Sequence, residues 1–140
     1  MISIDGSEIR AFADQLRDFP REFRPRLRRE IRKAAGGLVR EIQQNASWSS
    51  RIPGATRVSV GFGQRSAGVT VLVDQKKAPH ARPLEFGNRA GGTINRHPVF
   101  GGDTWVEQPT RPFFMRAVRS AEKDAVAAVQ TAIDEAFARF

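Results

Sequence analysis

Ala78-Pro-His-Ala-Arg-Pro-Leu-Glu-Phe-Gly-Asn88 is the segment about which this 140-residue chain divides. Before it lies a half that reads as helix plus hairpin, and after it a half that ends in a long helix. Leu84 and Phe86 set apolar side chains around a lone carboxylate, Glu85, while Gly87 can take a positive φ that other residues resist. These features predict a corner. A carboxylate so flanked needs a partner, either a cluster of backbone N–H groups or an arginine, because a charge taken out of water unpaired is strongly disfavoured. The partner can belong to the same chain or to a neighbouring copy, and the second case makes Glu85 an interface residue. A second corner, Gln108-Pro-Thr-Arg-Pro-Phe-Phe-Met115, answers the first. There Pro112 suits the first turn of a helix, and Phe113 and Phe114, with Phe86, are expected to fix the two corners in the core.

Working outward, the clearest element follows Pro112. Phe114, Ala117, Val118, Ala121, Ala125, Ala128, Val129, Ala132, Ile133, Ala136 and Phe137 form one helical stripe, rich enough in alanine for a second backbone to approach closely. On the other side, Val58, Val60 and Phe62 alternate with Arg57, Ser59 and Gly61, and Val69, Val71 and Val73 alternate likewise, so 57–74 reads as a hairpin with its valines toward the helices. Leu27, Ile31, Ala34, Ala35, Leu38, Ile42 and Ala46 predict a helix over 26–46, in which Gly36-Gly37 marks a kink or a close crossing with the last helix. Ser7 as an N-cap, followed by Ile9, Phe12, Ala13, Leu16 and Phe19 at helical spacing, predicts an earlier helix, broken over 19–25 by Pro20 and Pro25. Two extended pieces within 92–108, around Gly101-Gly-Asp103, read as a second hairpin.

The sum is an α+β domain. A small antiparallel sheet, made of the hairpin 57–74 and extended segments at 92–108, packs against a long N-terminal and a long C-terminal helix. One domain spans 1–140, with 88–108 as a protruding hairpin arm whose Ile94, Val99, Phe100 and Trp105 are too apolar to be covered by their neighbours and mark a partner surface.

Composition narrows the chemistry. There is no cysteine, hence no disulfide, thiolate metal site or thiol nucleophile. His80 and His97 are the only histidines and lack a helical metal-ligand partner. No nucleophile elbow, P-loop or closely spaced carboxylate pair occurs, so no enzyme, cofactor or metal is expected. No apolar run is long enough to cross a bilayer, and a soluble protein made in a cytoplasm is expected. The net charge is +8, carried mostly by arginine and concentrated before residue 112. Arg24, Arg28, Arg29 and Arg32, with Lys76 and Lys77, are candidate contacts for DNA or an acidic partner, although a helix must show something polar outward and Glu22 and Glu30 are placed to pair with some of them.

The order of elements, together with Ala81-Arg-Pro-Leu-Glu-Phe-Gly87, His97-Pro-Val-Phe-Gly101, Trp105 and Arg111-Pro-Phe-Phe-Met-Arg-Ala117, resembles the tail-completion, or head-to-tail joining, proteins of long-tailed bacteriophages. In that family a hydrophobic-Glu-Phe-Gly corner and a Pro-Phe helix start recur. The likeness covers about residues 8 to 138, but not the Pro20 and Pro25 break or the basic run after it. It implies a virion protein of the neck or tail, assembled in the host cytoplasm as a homo-oligomeric ring, a hexamer. Its implied partners are the head connector, the tail tube or terminator and the genome passing through. A tail terminator or head-closure ring, or a free basic DNA-binding protein, are the alternatives.

Overall fold

A computed structural model describes residues 3–5, 8–87, 94–98 and 104–139. In chain order the elements are β1 (Ser3–Asp5), β2 (Glu8–Ala11), α1 (Ala13–Arg17), a 3-10 turn (Arg21–Phe23), α2 (Arg24–Ala34), α3 (Gly36–Asn45), α4 (Ile52–Ala55), β3 (Thr56–Gly61), β4 (Gly68–Val73), α5 (Ala81–Phe86), β5 (Ile94–Pro98), β6 (Trp105–Pro109) and α6 (Phe114–Ala138). The fold is α+β.

The hairpin forms as expected, with Thr56 opposite Val73 and Gly61 opposite Gly68. Val58, Val60, Val69, Val71 and Val73 are buried in the core they share with the helices. Gly61 is required at its position. A Cβ there would stand 2.0 Å from the Ser66 carbonyl oxygen, so only glycine lets the connecting loop fold back so closely.

Three sequence expectations change. The helix predicted through Ile9 does not begin there: Glu8–Ala11 is a strand, pairing with β1 and, through Ile9 opposite Val71, with β4. Apolar residues at 9 and 11 satisfy a period of two as well as a helical one, and the unpaired side of β4 decides between them. Phe12, at φ 67°, then turns the chain into the five-residue α1. The sheet order is therefore β1-β2-β4-β3. The extended segments at 92–108 supply β5 and β6, which among the described residues pair only with each other, from Ile94 opposite Pro109 to Pro98 opposite Trp105.

The second change concerns the 26–46 helix, which divides at Ala35 into α2 and α3. The break expected over 19–25 is present, and α2 starts with Pro25 in its first turn. Gly36-Gly37 lies at the division but makes no close crossing. A Cβ on Gly37 would meet nothing within 4 Å, and one on Gly36 would meet only its own helix's Arg40. The residues that face inward are Ile31, Ala35, Leu38 and Ile42, against an α6 that packs on both α2 and α3.

The third concerns the corner phenylalanines. Phe113 and Phe114 are fully buried, but Phe86 is half-buried, and Ala81 and Leu84 are what anchor α5 in the core.

Candidate functional site

α5 is six residues long and ends at Gly87, whose φ of 76° is the positive value expected there. Arg82 and Pro83 lie outward on this short helix and Glu85 points in, with only 6% of its surface exposed. Its carboxylate lies at the N-terminus of α6. Oε2 accepts the backbone N–H of Phe113 at 2.7 Å and of Phe114 at 3.0 Å, and Oε1 accepts that of Met115 at 2.9 Å. A helix start leaves such N–H groups without partners and carries partial positive charge, so a buried carboxylate is matched there both in hydrogen bonds and in sign. Glu85 is thus taken up inside its own chain. The reading of it as an intersubunit tie is corrected: its partner is the backbone N–H cluster.

Further contacts close the same corner. Arg111 donates its N–H to the Leu84 carbonyl at 2.8 Å. Asn45, the last residue of α3, donates from Nδ2 to the Phe113 carbonyl at 3.2 Å. Trp48 stacks edge-on to Phe113, and the Arg111 guanidinium lies 4.1 Å from the Trp48 ring centroid. Sequence reasoning missed Trp48, Asn45 and Arg111 as a group, because Asn45 and Trp48, at the end of α3, meet a segment more than 60 residues later. His80 sits just before α5, its Nε2 3.4 Å from the Ser49 hydroxyl. Burial, and then the positive charge of Arg51, lower its pKa below the usual histidine value.

The chain on both sides of the β5–β6 ribbon is therefore tied to the body, and the ribbon exposes an aromatic side chain. Trp105 is 53% exposed, with the Arg96 guanidinium 5.2 Å from its ring centroid. Ile94 opens β5. Val99 and Phe100 lie outside the described residues. Pro112 is exposed, immediately before the buried Phe113 and Phe114.

The basic candidates separate into two groups. Arg24 and Arg28 hold their guanidiniums 5.1 and 5.3 Å from the centroid of the buried Phe62 ring, and Arg24 also donates from Nε to the Phe19 carbonyl. They cover the core as well as carrying charge. Arg29, Arg32, Lys76 and Lys77 are exposed. Among the described residues the expected pairing by Glu22 and Glu30 does not form, while Arg17 pairs with Asp14. Also among the described residues, no cluster of His, Asp or Glu could hold a metal, and no helix is long and apolar enough to cross a membrane. Comparison with protein-family models, curated proteins and solved structures gives no match.

Proposed function

We propose that the chain is a structural protein of the head–tail junction of a tailed phage. In this reading it forms a homo-oligomeric ring, a hexamer, that completes or joins the tail to the capsid connector, with the genome passing through its lumen. It acts by contact and not by catalysis. The observation that carries the reading is the two-stranded arm: an exposed tryptophan on a ribbon separate from the main sheet, with its base locked by the Glu85 corner. Such a geometry presents an apolar anchor to a neighbour without loosening the body that holds it. The resemblance of the two corners to those of tail-completion proteins supplies the kind of neighbour.

Trp105→Ala tests it. Being exposed, Trp105 adds little to folding, and the variant is expected to keep its stability within about 0.5 kcal/mol in a urea titration. Solution mass and the yield of joined, infectious particles should nevertheless fall sharply. A variant that assembles and joins particles as well as the parent removes the arm from the interface.

A further inference from the structure

The free edge of the main sheet runs in step with the basic helix. β3 is an outermost strand, paired on one side only. Asp74 donates its backbone N–H to the Ala55 carbonyl at 2.8 Å, and this sets the phase of the β3–β4 ladder. Bonded and non-bonded pairs alternate in an antiparallel ladder. Given the register, Arg57, Ser59 and Gly61 bond to β4, while the N–H and C=O groups of Val58 and Val60 point off the edge. Among the described residues neither valine has another backbone partner.

Alongside this edge, Arg24, Arg28 and Arg32 recur at every fourth residue and so share one face of α2. From Arg24 to Arg32 the helix rises about 12 Å, and from Phe62 back to Val58 a strand spans about 13 Å. Row and edge therefore match in length. Arg24 and Arg28 lie over Phe62 at one end. At the other end Arg32, Arg57 and Val58, with Gly36 and Val39, line a cavity of about 390 Å³. Arg32 and Arg57 are exposed, and among the described residues no carboxylate lies within 4.0 Å of either.

We propose that this edge accepts an extended acidic segment of a partner protein as a further strand. Its backbone pairs with Val58 and Val60. Successive side chains of an added strand point to opposite faces, so one carboxylate meets Arg32 on the helix side and its neighbour meets Arg57 on the other. A guanidinium takes a carboxylate in a two-bond fork, which adds direction to the attraction. A phosphodiester chain would satisfy the arginines but leave the edge amides and carbonyls unpaired, and this favours a peptide. The inference is independent of the phage reading and holds for any assembly that supplies such a segment.

The test uses the full-length protein and a fluorescent octapeptide of valine and threonine around two adjacent glutamates. Polarisation at low salt should show binding that weakens at least about tenfold in R32E/R57E, and again on raising the salt to about 200 mM. Because both arginines are exposed, circular dichroism of the variant should match the parent. In the parent, which needs no substitution, saturating peptide should slow hydrogen exchange of the Val58 and Val60 amides at least about tenfold, as strand pairing requires. Absence of binding, indifference to the double charge reversal, or unprotected valine amides would each overturn the proposal. So would tighter binding of a single-stranded oligonucleotide through the same two arginines.

Discussion

The carboxylate of Glu85 does for α6 what a serine or aspartate N-cap does for most helices, but from another element. Phe113, at the cap position, has no side chain able to accept a hydrogen bond. A capping side chain is worth about 0.5–2 kcal/mol, and leaving buried N–H groups unpaired adds about 1–3 kcal/mol. Glu85→Ala is therefore expected to destabilise the fold by about 2–4 kcal/mol in urea denaturation, and Glu85→Gln, which keeps one acceptor oxygen, by about half of that. A loss below about 0.5 kcal/mol for the alanine variant would mean that water replaces the carboxylate without penalty. The need of Glu85 for a partner is legible in the sequence, since Leu84 and Phe86 flank it. The identity of that partner is not, because Phe113 to Met115 are 28 to 30 residues away and offer only main-chain atoms.

At the scale of elements, what was legible depended on how many readings a pattern allows. The stripe from Phe114 to Phe137 has one reading, and α6 follows it. The valines of 57–74 likewise admit one hairpin and one buried face. Ile9 to Ala11 admits two, and the choice is made by a strand more than 50 residues later, beyond the reach of local propensity. The ribbon β5–β6 was legible as a second hairpin, but not its separation from the sheet to which its strands were assigned, since alternation fixes a face and not a neighbour. Gly61→Ala places a methyl against a backbone oxygen that cannot rotate away, and the β3–β4 loop must shift. A loss of about 2–3 kcal/mol is expected by thermal or chemical denaturation. A neutral result would show that the 62–67 loop is free to move aside.

For the whole molecule, the main fact is an excess of positive charge. The chain carries +8, and among the described residues the acidic groups do not tie down the arginines of α2. Like charges held together oppose the compact state. Raising sodium chloride from about 20 to about 200 mM shortens the screening length from roughly 20 to roughly 7 Å. The melting temperature, read by calorimetry at neutral pH, should accordingly rise by about 2 °C or more. A melting temperature that falls with salt would mean that attractive pairs dominate instead.

The locked base has a consequence for how such a chain can diversify. The Leu84 carbonyl holds the Arg111 amide, and Glu85 holds the start of α6, so the chain between them leaves and re-enters the body at one pinned point. Whatever is inserted there closes a loop whose ends are already fixed, and doubling the length of a flexible loop costs only about 0.6 kcal/mol. An insertion between the two corners is therefore expected to leave the helices, the sheet and the basic edge in their places.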